Sequence, residues 1–79
     1  MNVLLFGIAK DIVGTQELRL EKALNIKTVK ELTDFLKNKY PEFQKLRSIA
    51  IAVNSNYAEM ETALTESDEI AIIPPVSGG

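Results

Sequence analysis

Ile70-Ala71-Ile72-Ile73 (IAII, residues 70–73) is a short, wholly apolar run that a proline stops at position 74. The polar stretch Thr65-Glu66-Ser67-Asp68-Glu69 precedes it. A brief apolar run between a turn and a proline reads as a buried strand, because proline offers no amide to continue a ladder. The start of the chain has the same character: Val3-Leu4-Leu5-Phe6-Gly7-Ile8 is continuously apolar, as expected for a central strand covered or paired on several sides. Two such strands at opposite ends of one chain are best buried as neighbours in the middle of one sheet.

The segments between them supply the connections. Lys10-Asp11-Ile12-Val13-Gly14 reads as a loop or short turn, with Gly14 free to take positive φ. Glu17-Leu18-Arg19-Leu20-Glu21 alternates polar and apolar, the pattern of an edge strand with one wet face, and so close to the first strand it pairs antiparallel. Thr28 followed by Glu31 is a capping-box signature: the hydroxyl accepts from the Glu31 amide while the carboxylate reaches back. Val29, Leu32, Phe35, Leu36 and Tyr40 then recur at helical spacing, opposite Lys30, Asp34, Lys37 and Lys39, until Pro41 ends the helix. Ile49-Ala50-Ile51-Ala52-Val53 reads as another buried strand closed by the turn residues Asn54-Ser55-Asn56, with a short edge strand near residues 57–60. The hairpin and helix connections make the first and last strands parallel. The predicted class is therefore α+β: a ubiquitin-like β-grasp with a mixed sheet of four to five strands packed on one main helix. It forms a single domain over residues 1–79, with a globular body at 1–73 and an extended, flexible functional tail at 74–79.

Composition excludes several kinds of chemistry. The 79 residues contain no Cys and no His, which removes thiol nucleophiles, imidazole bases, disulfides and the usual transition-metal ligands, so no metal site is expected. The formal charge is −2; without a long basic block, nucleic acid is not the expected partner. The longest apolar run is too short to span a bilayer and lacks the basic flank of a signal peptide, so no membrane role and a cytoplasmic protein are expected. Charge is unevenly placed: the last basic residue is Arg47, while Glu59, Glu61, Glu66, Asp68 and Glu69 lie beyond it. Such a cluster is a solvated face that also steers a partner with a basic groove.

The tail Pro74-Pro75-Val76-Ser77-Gly78-Gly79 has its own logic. Two prolines fix φ and remove two donors, so the root of the tail is stiff. Six residues reach at most ~20 Å when fully extended, enough to enter a partner's cleft while the body stays outside. Val76 serves as an apolar anchor, and Gly78-Gly79 present only backbone to a narrow tunnel. What reacts there is the terminal carboxylate of Gly79. A carboxylate is a poor electrophile until adenylation converts it to a mixed anhydride, from which a sulfur nucleophile displaces AMP to leave a thiocarboxylate. A chain without cysteine has no thiol of its own to attack that activated acyl group.

These residues resemble the small subunit of molybdopterin synthase, the MoaD-type sulfur carrier. The resemblance runs through Val3-Leu4-Leu5-Phe6-Gly7, Ala9-Lys10-Asp11-Ile12-Val13-Gly14, Ala52-Val53-Asn54, Leu64-Thr65-Glu66-Ser67-Asp68-Glu69-Ile70-Ala71 and, most specifically, the Pro-Pro-Val-Ser-Gly-Gly ending. It implies a non-catalytic subunit with no cofactor of its own. An activating enzyme would use ATP and magnesium to adenylate Gly79, and a persulfide donor would convert it to a thiocarboxylate. The loaded tail would then enter the large catalytic subunit and give sulfur to cyclic pyranopterin monophosphate, building the molybdopterin dithiolene within a heterotetramer that holds two small subunits. Pro74, Pro75, Val76, Ser77 and Gly78 would be the inserted residues, and Phe6, Lys10 and Ile73 the partner interface. By pattern alone Phe6 reads as core, like Phe35 and Leu36, Lys10 as a solvated loop lysine, and Asp68 and Glu69 as turn residues.

Three positions depart from that family's habit. Lys10-Asp11 stands where Arg-Glu is frequent, and lysine lacks the planar fork for a bidentate contact; Ile72-Ile73 replaces a frequently aromatic pair; Ser67 occupies a position where a turn glycine is common. Other readings are a protein modifier conjugated through Gly79, the thiamine-pathway sulfur carrier, and an interaction module with an inert tail.

Overall fold

The computed structural model describes residues 1–21, 25–46 and 49–74. Five strands form one mixed sheet: β1 (Asn2–Leu5), β2 (Glu17–Arg19), β3 (Ala50–Val53), β4 (Asn56–Tyr57) and β5 (Glu69–Ile73), in the order β2-β1-β5-β3-β4. β1 and β5 are parallel neighbours at its centre, with Val3 opposite Ile70 and Leu5 opposite Ile72. β2 pairs antiparallel with β1, and β3 pairs antiparallel with β5 and β4. The expected β-grasp topology is thus present.

Side chains alternate across a strand, so Val3, Leu5, Ile70 and Ile72 share one face, and all four are fully buried. Each contributes about 1.5–3 kcal/mol by leaving water. Against this face lies α2 (Val29–Lys39), which buries Val29, Leu32 and Leu36. Thr33 is buried with them, its hydroxyl donating to the Val29 carbonyl one turn back. Leu36 is fully inside as expected, and Phe35, half-buried, packs at the margin of the core with Lys39 Nζ 5.7 Å from its ring centre. Pro41 ends α2 and starts a 3-10 helix (Pro41–Lys45) that turns Phe43 into the core, edge-on to the Tyr40 ring.

The N-terminus of α2 leaves no early amide without an acceptor. Val29 and Lys30 donate to the Thr62 and Met60 carbonyls, Glu31 to Thr28 Oγ1 at 3.2 Å, and Leu32 to the Thr28 carbonyl. The Glu31 carboxylate reaches back one residue further than in a simple capping box and accepts from the Lys27 amide at 2.7 Å.

Several expectations fail, among them the short edge strand, which is Asn56–Tyr57 and not residues 57–60, so that Asn56 belongs to the strand and not to the turn. Residues 10–14 are not a loop, and β1 does not run to Ile8: Gly7–Val13 forms a helix, α1. Its inward residues Ala9, Ile12 and Val13 do carry helical spacing, but over fewer than two full turns the period is too short to stand out from an apolar strand. Gly14 ends α1 in the left-handed conformation at φ 87°, its amide donating to the Lys10 carbonyl.

The β3–β4 turn is clasped to the start of β5. Asn54 and Ser55, the two loop residues, both have positive φ, the backbone that matches the twist of a tight hairpin. Asn54 Nδ2 donates to Asp68 Oδ1 at 2.8 Å, and the Glu69 amide donates to Asn54 Oδ1 at 2.9 Å. The Thr65 amide donates to Asp68 Oδ2 at 2.7 Å, so Asp68 closes the turn expected of it, whereas Glu69, also read as a turn residue, is the first residue of β5 and pairs with Asn2.

Two outcomes follow from these contacts. Thr28→Ala removes the acceptor for Glu31 and is expected to cost about 1 kcal/mol in urea unfolding. The Thr65 amide first, and then the Asn54 amide, hold the Asp68 carboxyl below its ordinary value. A lowered folded value means the contribution is present above the unfolded value of 3.8 and is lost as pH falls through the lower, folded one. Asp68→Ala should therefore melt earlier at neutral pH and lose part of the acid-side decline in Tm seen in the parent.

Candidate functional site

The parallel pairing of β1 and β5 brings the ends of both strands to one rim of the sheet. Phe6 is one residue past Leu5, as Ile73 is one past Leu5's partner Ile72. Phe6 is still extended (φ −123°, ψ 153°), so alternation takes its side chain away from the core face. It is 44% exposed, contrary to the core reading of its pattern. Gly7 turns the chain into α1, and Ile8 in its first turn is 47% exposed. Lys10 lies on α1 rather than in a loop, and is exposed. Ile73 and Pro74 are half-buried at the same rim. Phe6, Lys10, Ile73 and Pro74 are therefore all described; Pro75, Val76, Ser77, Gly78 and Gly79 lie outside the described residues.

The sheet face opposite the core extends this rim. Strand registers align Leu4, Ala71, Ala52 and Tyr57 in one row and place Ala50 opposite Ile73 in the next. Alternation puts both rows on the side away from Val3, Leu5, Ile70 and Ile72. The result is a largely apolar outer face of mostly small side chains: Ala52 at its middle is buried, Leu4, Ala71 and Ile73 are half-buried, Tyr57, 78% exposed, stands at one edge and Glu17 at the other, and Phe6 and Ile73 lie at the rim where the tail begins. Small residues leave a shallow face that a partner's larger side chains can fill, and a contiguous exposed apolar patch marks an interaction surface. Ile8 and Tyr57 were not singled out from sequence. The signal for Ile8 is the α1 spacing that turns Ala9, Ile12 and Val13 inward; Tyr57 shows itself only once Ala52 is known to face outward.

The acidic residues beyond Arg47 include Glu59, Glu61 and Glu69, all exposed, with Asp68 held in its turn. No helix among the described residues is long and apolar enough to cross a membrane.

A five-stranded β-grasp with an uncovered apolar sheet face and a chain end leaving from its centre defines a ubiquitin-like protein. The chain belongs to the ThiS family, whose model matches residues 3–79. It is 36% identical over 80 residues to a molybdopterin synthase sulfur carrier subunit from Arabidopsis thaliana, covering all of this chain and 82% of that protein. Among solved structures it resembles the small archaeal modifier protein 1 from Methanosarcina acetivorans, with 33% identity, TM-score 0.80, and coverage of 99% of this chain and 94% of that one. It also resembles a chain in the complex of subunits 1 and 2 of the molybdopterin-converting factor from Helicobacter pylori, with 28% identity, TM-score 0.67, and coverage of 99% and 96%.

Proposed function

We propose that this chain is the sulfur-carrier subunit of a molybdopterin synthase, acting in the cytoplasm without catalytic side chains of its own. The observation that carries the reading is that the family match runs to Gly79, so the Pro-Pro-Val-Ser-Gly-Gly tail falls within the shared sequence. β5 ends at the rim of the apolar outer face, next to the start of that tail.

The chemistry uses the one group a bare backbone end can offer. In the active site of an activating enzyme, ATP and magnesium convert the Gly79 carboxylate to an acyl-adenylate and release pyrophosphate. A persulfide sulfur attacks the acyl carbon and expels AMP; a second thiol then cleaves the acyl disulfide, leaving the thiocarboxylate and a disulfide on the donor. The loaded tail enters the large catalytic subunit with Pro74 and Pro75 at its root, Val76 as anchor, and Ser77, Gly78 and Gly79 innermost. There it delivers sulfur to cyclic pyranopterin monophosphate, and two deliveries complete the dithiolene. The apolar sheet face with Phe6, Tyr57 and Ile73 is the docking surface, Lys10 lies at its margin, and the acidic half steers the approach. Two small subunits flank a dimer of large ones. The chain holds no cofactor; ATP and magnesium belong to the activating enzyme.

A second reading follows from the likeness to an archaeal modifier protein. The same acyl-adenylate, met by a lysine amine instead of sulfur, yields an isopeptide.

Intact mass after incubation with the adenylating enzyme, ATP, magnesium and a persulfide donor is expected to rise by the difference between sulfur and oxygen. A variant with alanine added after Gly79 should stay unmodified, and its modification without trimming would defeat the proposal. Accumulation of high-mass lysine conjugates in cells, absent when Gly78-Gly79 is deleted, would favour the modifier reading. Tyr57→Asp and Ile73→Asp should each weaken binding to the large subunit by about 2 kcal/mol or more, roughly 30-fold in Kd by calorimetry, while the thermal transition of the free chain moves little.

A further inference from the structure

Gly7 and Pro74 meet where the tail begins. Gly7 is the first residue of α1 and sits at φ +54°, and a Cβ built on it would stand 3.3 Å from Pro74 Cγ. That approach is closer than side chains ordinarily make, so with any other residue at position 7 the proline ring must give way by a few tenths of an ångström. Pro74 has little freedom with which to answer. Its ring fixes its own φ, and Pro75 after it holds its ψ in the extended range. The Pro74 unit therefore moves as one rigid piece, and the direction in which the chain continues depends on where its ring is seated.

We infer that Gly7 is a positioning residue for the tail: its missing side chain forms the seat for the Pro74 ring and so sets the direction in which residues 75–79 leave the sheet. This rests on the reading that partners grip the tail and the apolar face together. Residues 75–79 reach at most ~17 Å, so a tilt of about 10° at the seat moves the far end by about 3 Å. A partner that holds the sheet face then meets the terminal carboxylate out of place, and one of the two grips must be given up. The loss falls on capture of the carrier rather than on the chemical step, which the partner's cleft arranges once the tail is inside.

The test compares Gly7→Ala, Gly7→Val, Gly7→Asn, Pro74→Ala and the double variant Gly7→Val with Pro74→Ala. With the adenylating enzyme, ATP and magnesium, pyrophosphate release should show KM for the carrier raised about tenfold by Gly7→Val with kcat within about twofold, and raised less by Gly7→Ala. Asparagine tolerates positive φ but carries a Cβ, so Gly7→Asn should resemble Gly7→Ala if the ring contact matters, and the parent if backbone strain does. Adding Gly7→Val to Pro74→Ala should raise KM no further, because the ring it displaces is gone. If Gly7→Val does not fold, as read by its thermal transition, the alanine and asparagine variants carry the comparison.

A second readout needs no partner. Since the chain has no cysteine, a spin label on Val76→Cys reports the tail alone, and its broadening of body resonances should be confined to the rim near Phe6 and Ile8 in the parent and spread in Gly7→Val. Identical broadening in both, or KM effects of Gly7 and Pro74 substitutions that multiply independently, would overturn the inference. Failure of the enzyme to adenylate even the parent would instead count against the carrier reading, leaving the spin-label comparison to decide the role of Gly7.

Discussion

The parallel pairing of β1 with β5 is the constraint from which the rest of the architecture follows. Two parallel strands cannot be joined by a tight turn, so everything between Leu5 and Glu69 must serve as crossover. That crossover supplies the helix that covers the core face, the edge strands that pair outward from the central two, and the 3-10 helix that brings Phe43 inside. Parallel alignment also puts the end of the first strand beside the end of the last. A tail leaving β5 therefore emerges next to α1 and not at a remote edge, and the approach of Pro74 to Gly7 is a direct result.

Covering one face of a five-strand sheet with a single helix leaves the other face open, and on this chain that face is apolar. Ala50, Ala52 and Ala71 give it little relief, and their small size keeps the exposed apolar area low enough for a free subunit. Leu4, Phe6, Ile73 and Tyr57 contribute the larger groups around them. Core and outer face are thus built from alternate residues of the same strands: Leu5 and Ile72 hold the fold together, while Leu4 and Ile73 face outward. Because the period is two, a one-residue slip of β5 would exchange the two sets, so the buried isoleucines that stabilise the fold also fix what the outer face presents.

Much of this can be read from residues alone, and where reading stops the reason is physical. The α2 helix has eleven residues, a capping threonine and a terminating proline, so pattern, cap and stop agree. The strands at both ends declare themselves by apolar runs, and their pairing follows from economy of burial. By contrast α1 has seven residues, several of them β-favouring, and although Gly14 stops it, its start carries a glycine and no capping side chain, so nothing marks where the first strand ends and the helix begins. Phe6 was legible as apolar but not as exposed, because a continuous apolar run does not say which of its faces a helix covers. Only the strand register separates Leu5, fully buried, from Phe6. The chemistry proposed for the tail rests on Gly-Gly and Pro-Pro, which need no folded context to be noticed, whereas the apolar outer face depends on five strands being in place.

The two ends of β5 are held by different means, and together they make the strand a fixed arm. At its start, Asn54 ties the β3–β4 turn to Glu69 and Asp68 through both ends of its amide. At its finish, the Pro74 ring lies where a Cβ on Gly7 would crowd it. Between these points the strand is hydrogen-bonded on both sides, to β1 and to β3. Such a strand is already ordered, so the grip on the tail proposed above would cost it no further backbone entropy. On that proposal the ordering cost would fall beyond Pro74, and the two prolines would reduce it by limiting the conformations open to an unbound chain.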